Sequence, residues 1–265
     1  MNILLTNDDG VHAPGLKVLR ETLSAIANVV VVAPLEERST TGHTLTLDHT
    51  IRIVEVEDNV YGCSGYPADC ALMGIAHIFK KKGLKCDLVI SGINRGANLG
   101  QDIFYSGTVA AAREAVFRNV PSLSVSSCMD FKDTVKNDFL YYTASNFIKT
   151  LVESNISAFI PPMSLININV PWIDEVSVKG VRVTKLGFRN YSEDISERID
   201  FRGRNYYWMG GVYEGFRNIL DSDCQAIEEN LISLSPIKLI DDEMTQVELI
   251  KQTRIFLERA GIATK

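Results

Sequence analysis

Residues 1–34 read MNILLTNDDGVHAPGLKVLRETLSAIANVVVVAP. Ile3, Leu4 and Leu5 are an apolar run without alternation, and Val29 to Ala33 are a second. Between them, after Pro14, Leu16, Leu19, Leu23 and Ile26 recur at helical spacing. A strand that is apolar on both faces needs cover on both, which is the condition of an inner strand in a parallel sheet. Strand, helix and strand in this order predict a βαβ unit.

The alternation continues along the chain. Residues 51–63 read as a β-ribbon. A helix is expected from about Pro67, with Leu72, Ile75, Ala76 and Phe79 on one face and Lys80-Lys81-Lys82 before Gly83 at its end, which are proper start and stop signals. Leu88 to Ile90 form a strand, Ser106 to Arg118 a helix, Leu123 to Ser126 a strand, about 137–153 a helix and Leu165 to Val170 a strand. The expectation is an α/β fold: one Rossmann-like, doubly wound, mostly parallel sheet in a single domain over 1–265. Residues 180–220, rich in arginine, tyrosine and glycine, read as β-hairpin excursions. Residues 245–260 read as a helix with Val247, Ile250 and Leu257 on one side and Leu249 and Phe256 on another. So broad an apolar face predicts packing on another subunit, making about 180–265 an oligomerisation portion.

The totals narrow the function. With 265 residues, 46% hydrophobic and 23% charged, the chain can build a full core. A net charge of −6 argues against a general nucleic-acid binder. It leaves room for a small anionic substrate, because one metal ion reverses the field locally. The five cysteines, Cys63, Cys70, Cys86, Cys128 and Cys224, are odd in number and scattered without a CxxC. They predict buried thiols in a reducing, cytoplasmic setting and neither a disulfide framework nor a thiolate zinc site. Acidic residues at position 8 are not expected in a signal peptide, and no apolar run is long enough to predict a membrane span.

In an open α/β sheet, ligands bind beyond the carboxyl ends of the strands. Three polar loops follow such ends: Thr6-Asn7-Asp8-Asp9-Gly10, Pro34 to His43, and Ser91 to Gly100. Two adjacent carboxylates repel each other unless they share a cation. Carboxylate, hydroxyl and amide oxygens are the hard ligands that Mg²⁺, Mn²⁺ or Ca²⁺ prefers, and Asp8 and Asp9 with Ser39 and Asn94 make such a set. The segment Tyr105-Ser106-Gly107-Thr108-Val109-Ala110 opens a helix. Ser106 can cap it, and the N–H groups of Gly107 and Thr108 are then expected to be free for an anion, with Asn98 adding an amide donor. A cation beside an anion cradle is the equipment of phosphoryl transfer.

The pattern resembles the SurE family, the stationary-phase survival proteins. The resemblance is carried by NILLTNDDGVHAPGL (2–16), VVAPLEERSTTGHTLTL (31–47), GYPADCALMGI (65–75) and DLVISGINRGANLGQDIFYSGTVAAAREA (87–115). ININVP (166–171), RVTKLGFRNY (182–191) and RGRNYYWMGG (202–211) extend it more weakly. It implies a metal-dependent 5′/3′-nucleotidase acting on nucleoside monophosphates, with short polyphosphate as a further substrate. It implies one divalent ion held by Asp8, Asp9, Ser39 and Asn94, and phosphate contacts from Asn98, Ser106, Gly107 and Thr108. It also implies a homodimer or homotetramer with exchanged C-terminal elements. The sequence departs from the family where Thr40 replaces the usual glycine after the ligand serine, where Ser222-Asp223 stands for Thr-Asp, and in a diverged C-terminal third.

The expected mechanism is in-line attack of water on phosphorus, with Asp8 or Asp9 accepting its proton. An aspartyl-phosphate on Asp8 is the alternative. Taken alone, Asp-Asp-Gly is a turn, Ser39 a loop serine, Ser106 an ordinary N-cap, and Asn94 and Asn98 turn residues beside glycine. His43 is read as a loop histidine bonded to backbone as readily as a general acid, and Arg95 as a loop ion pair as readily as a phosphate ligand. Tyr105 or a residue in 180–215 is a candidate for stacking on a base. A haloacid-dehalogenase-type phosphatase would need Asp-x-Asp here, and a dinucleotide-binding protein would need GxGxxG. Neither pattern is present.

Overall fold

The computed structural model describes residues 1–129, 138–240 and 244–264. The opening unit is β1 (Asn2–Thr6), α1 (Pro14–Ser24) and β2 (Asn28–Pro34). Next come the antiparallel ribbon β3 (Ile53–Glu57) and β4 (Val60–Cys63), then α2 (Pro67–Met73), which a π-turn continues to Phe79. The chain returns through β5 (Leu88–Arg95), α3 (Gly107–Phe117), β6 (Ser122–Cys128), α4 (Tyr141–Glu153) and β7 (Ser164–Pro171). The C-terminal part holds β8 (Val181–Val183), β9 (Arg189–Tyr191), β10 (Ile195–Ile199), β11 (Asn205–Met209) and β12 (Tyr213–Phe216). It closes with α5 (Asp223–Glu228), β13 (Ile232–Lys238) and α6 (Gln246–Arg259).

Nine strands form one sheet in the order β3-β4-β2-β1-β5-β6-β7-β13-β8. Pairing from β4 through β7 is parallel, as the unalternating runs require. Ile3 and Leu5 bury into a core shared with α1 and α4, while Leu4 between them buries into the opposite core with Cys70, Ile78 and Phe79. Val31 and Ala33 join the first core and Val30 and Val32 the second. After β2 the chain moves away from β1 and then returns to β5 on its other side, so the switch of direction lies between β1 and β5. The crevice over that switch is where such a sheet takes its ligand.

The hairpin excursions are present: β10 pairs with β11, and β9 with β12, outside the main sheet. Three expectations are corrected. The buried face of the helix after Pro67 is Cys70, Ala71, Gly74, Ile78 and Phe79, with Ala76 exposed, because the π-turn rotates the stripe. In α6, Leu249, Phe256 and Leu257 are covered by the chain itself while Val247 is exposed, so most of that apolar face is used internally. Strand β13 was absent from the expectation; it lies antiparallel to β7.

Helix α1 starts on Pro14 without a side-chain cap, and Gly15 lets it press against β5. A Cβ at Gly15 would overlap the carbonyl oxygen of Ile93, a backbone atom that cannot swing away. Gly15→Ala is therefore expected to lower unfolding stability by about 1–3 kcal/mol, an overpacking cost, read as a lower urea midpoint at unchanged slope.

Candidate active site

The turn after β1 is built by Asn7, which is fully buried. Its side-chain nitrogen donates to the Gly10 carbonyl at 2.9 Å and its oxygen accepts the Gly10 N–H at 3.2 Å. Gly10 has φ +103°, which suits glycine. This brace turns Asp8 inward and leaves Asp9 half-buried. The loop after β2 is tied alongside, since Arg38 N–H donates to the Asp8 carbonyl at 2.8 Å. The loop after β5 is tied too: the Arg95 N–H donates to Asp9 Oδ2 at 3.0 Å.

The three loops open on one cavity of about 1000 Å³, lined among others by Asp8, Ser39, Asn94, Asn98 and Ser106. Asp9 stands beside it, held by the Arg95 N–H. Asn94 gives its amide hydrogen to the Gly96 carbonyl at 2.8 Å, leaving Oδ1 as an acceptor. Ser39 gives its hydroxyl hydrogen to Glu37 at 2.7 Å, leaving its lone pairs. Thr40 has φ +56°, a left-handed conformation that a β-branched residue adopts at a cost and that the glycine usual in the SurE family adopts freely.

The helix N-terminus departs from expectation. Thr108 N–H donates to Asp8 Oδ2 at 3.0 Å and Thr108 Oγ1 to Asp8 Oδ1 at 2.5 Å, and the Gly107 N–H also acts on this carboxylate. The anion on α3 is thus Asp8 itself, and the two Thr108 donors are not free. The cause is steric as well as electrostatic: a Cβ at Gly107 would sit 2.8 Å from Asp8 Cβ and 2.9 Å from Pro67 Cγ, so only glycine admits Asp8 there. Ser106 caps the helix as expected, accepting the Val109 N–H at 3.1 Å, and keeps its own hydroxyl hydrogen for the cavity.

Burial raises the Asp8 carboxyl above its ordinary range despite the Thr108 hydrogen bonds. Burial, and then the Asp8 charge, push Asp9 up to about 7. Two buried carboxylates held in this way favour a cation between them. Among the described residues no three His, Cys, Asp or Glu side chains converge as a metal cluster. Asp8, Ser39 Oγ and Asn94 Oδ1 line the crevice with Asp9 beside it, and all four carry oxygen atoms of the hard kind that divalent ions prefer.

Asn98 is locked on three sides. Its N–H donates to Asn169 Oδ1 at 2.9 Å, its carbonyl accepts from Asn167 and Asn169, and its Nδ2 donates to Ser126 at 2.8 Å. One hydrogen on Nδ2 remains. The ININ stretch puts Asn167 and Asn169 on one face of a buried strand, and their task of holding Asn98 emerges only in the fold. Asp223, of the Ser222-Asp223 pair that departs from the family pattern, is a second support. Fully buried, it accepts the N–H groups of Gly100 and Gly187 at 2.8 and 2.7 Å, joining the β5 loop to the segment before β9.

His43 is bonded to a side chain and not to backbone. Its Nε2 lies 3.0 Å from Oε2 of the buried Glu114, and its ring stacks on Phe117. Burial alone would raise Glu114, but His43 and Arg118 outweigh it and hold the carboxyl below its ordinary range. His43 thus pins the loop after β2 to the flank of α3.

Fold and site together define a doubly wound α/β protein with an acidic, oxygen-lined crevice at its switch point. A family model described as "Survival protein SurE" matches residues 3–193. The 5′-nucleotidase SurE of Geobacter sulfurreducens is 41% identical over 239 residues, 90% of this chain and 88% of that protein. The 5′-nucleotidase SurE of Aliarcobacter butzleri is 40% identical over 262 residues, 97% of this chain and 98% of that protein. The crystal structure of the SurE protein from Aquifex aeolicus superposes with a TM-score of 0.78 at 32% identity, covering 96% of this chain and 99% of that one. The chain belongs to the SurE family.

Gly107→Ala tests the seat of Asp8. The new methyl group must displace the carboxylate, so the variant is expected to lose about 1–3 kcal/mol of stability. It is also expected to bind Mn²⁺ more weakly than wild type in isothermal titration. An unchanged Mn²⁺ affinity would separate Asp8 from cation binding.

Proposed function

We propose that this protein is a divalent-metal-dependent phosphomonoesterase that hydrolyses nucleoside 5′- and 3′-monophosphates to nucleoside and phosphate, with short polyphosphate as a further substrate. The observation that carries the reading is the pairing of Asp8 and Asp9 with an oxygen-only donor set, beside a helix N-terminus already shaped for an anion. The relatives from Geobacter sulfurreducens and Aliarcobacter butzleri are 5′-nucleotidases by name, which supports the same chemistry.

On this reading Asp8, Asp9, Ser39 and Asn94 hold one divalent ion, Mg²⁺ or Mn²⁺, and Ca²⁺ also suits the set. When bound, the ion supplies Lewis-acid polarisation of a phosphoryl oxygen. Asn98 Nδ2 and the Ser106 hydroxyl donate to the phosphate, while the Thr108 donors stay on Asp8. A carboxylate of the Asp8–Asp9 pair takes a proton from the attacking water. The water oxygen bonds to phosphorus in line as the ester oxygen leaves and gains a proton. The water route is favoured over an aspartyl-phosphate because both oxygens of Asp8 accept hydrogen bonds from Thr108, which blunts it as a nucleophile.

The protein is further read as a cytoplasmic homodimer or homotetramer with no nucleic-acid polymer or membrane partner. All five cysteines are free thiols, which suits a reducing compartment. Among the described residues no helix is long and apolar enough to cross a membrane. The β10–β11 hairpin exposes Ile195, Ile199, Trp208 and Met209, an apolar arm suited to a second copy of the chain.

Phosphate release from a panel of 5′- and 3′-nucleoside monophosphates tests the activity. Release should stop with EDTA and return with Mg²⁺ or Mn²⁺. Asp9→Asn should reduce kcat/KM by more than the 10–100-fold that losing a mere supporting group costs, so by about a hundredfold or more. No release from any nucleotide with any metal would refute the reading.

A further inference from the structure

The cavity at the switch point is much larger than one phosphate needs, and its lining divides by chemistry. Asp8, Ser39, Asn94, Asn98 and Ser106 are polar and come from the sheet loops, whereas Phe188, Arg189, Tyr191 and Arg217 come from the β9–β12 excursion. These four excursion residues present flat faces, beside Asn190, Glu193 and Glu214 from the same segment. Arg189 lies over the rings of Tyr213 and Tyr191, 4.4 and 5.3 Å from their centroids, and Arg217 lies 3.9 Å over Phe188.

This second wall is fixed to the first by residues 101–102. The Gln101 side chain donates to the Arg189 carbonyl at 2.7 Å and accepts the Arg189 N–H at 2.8 Å. Asp102 Oδ2 accepts from Arg189 Nη1 at 2.7 Å and from the Tyr191 hydroxyl at 2.6 Å. Both Asp102 and Arg189 are only 18% exposed, so these charge-assisted bonds are shielded from water. Gln101 and Asp102 directly follow the loop that carries Asn98. The clamp therefore sets the aromatic wall at a fixed offset from the phosphate-binding residues.

We propose that the wall of Phe188, Arg189, Tyr191 and Arg217 is the nucleobase-recognising part of the site, and that Asp102 is its positioning residue. The inference rests on the nucleotidase reading and deepens it. Aromatic rings and guanidinium planes offer any base a stacking face, so the wall selects for a planar heterocycle on the phosphoester with little distinction among bases. Asp102 acts by holding Arg189 and Tyr191 at the angle that a base can meet.

The test compares a nucleoside 5′-monophosphate with ribose 5-phosphate, the same ester without the base, for wild type, Asp102→Asn and Tyr191→Phe, with Mn²⁺ present. Tyr191→Phe keeps the ring and removes only the hydroxyl that donates to Asp102, so it serves if Asp102→Asn fails to fold. The ratio of kcat/KM for nucleotide over ribose 5-phosphate should fall about tenfold in Asp102→Asn and less in Tyr191→Phe. The loss should appear in KM for the nucleotide and not in its kcat. Inhibition by free adenosine, which carries no phosphate, should weaken in parallel. A ratio unchanged in the folded variants, or a loss confined to kcat, would overturn the inference while leaving the nucleotidase reading in place. A wild type that releases phosphate from ribose 5-phosphate and from no nucleotide would overturn that reading itself, and the wall's role with it.

Discussion

The carboxylate of Asp8 on the N-terminus of α3 is the constraint around which the site is arranged. A buried anion is tolerable only where donors and a favourable dipole meet it. Thr108 supplies two donors and the helix supplies the dipole. Because Asp8 lies in the turn directly after β1, this one contact fixes the end of the first strand against the helix that follows the β5 loop. The small size of Gly107 is a condition of it, since a side chain there would occupy the space of Asp8 and Pro67.

From that point the neighbouring loops are tied by backbone. Arg38 N–H reaches the Asp8 carbonyl, and Arg95 N–H reaches Asp9. Asn98 is held by Asn167, Asn169 and Ser126, and Gly100 by Asp223. Each such bond adds only about 1 kcal/mol net, but leaving one of these buried groups unpaired costs about 1–3 kcal/mol. The polar network therefore acts less as a source of stability than as a penalty on every other loop arrangement. The result is a rigid set of oxygen atoms with two repelling carboxylates at its centre, which is the electrostatic condition for taking up a cation.

The parallel part of the fold was legible because its physics is local. Runs such as Val29 to Ala33 bury on both faces, and nothing but a covered inner strand satisfies that. Strand β13 was not legible. Ser233 and Ser235 break its apolar pattern, and Pro236 argues against an inner strand. The structure shows why both are tolerated: the serine hydroxyls bond to Thr184 across the sheet, and β8 pairs only as far as Leu234, so Pro236 has one strand neighbour. The buried face of the helix after Pro67 was misjudged for a related reason, since a π-turn shifts a period that the sequence is read with at 3.6 residues.

The sequence by itself determined the α/β order and the three polar loops at the strand ends, because strand burial depends on residue type and on near neighbours. Tertiary structure alone decided where the donors point. It gave Thr108 to Asp8, tied His43 to Glu114, and used Asn167, Asn169, Asp102 and Asp223 as supports. Those choices rest on hydrogen bonds between residues mostly some 70 to 120 positions apart in the chain. Hydrogen bonding is short-ranged and directional, so a partner exists only once the sheet has brought the two groups within about 3 Å.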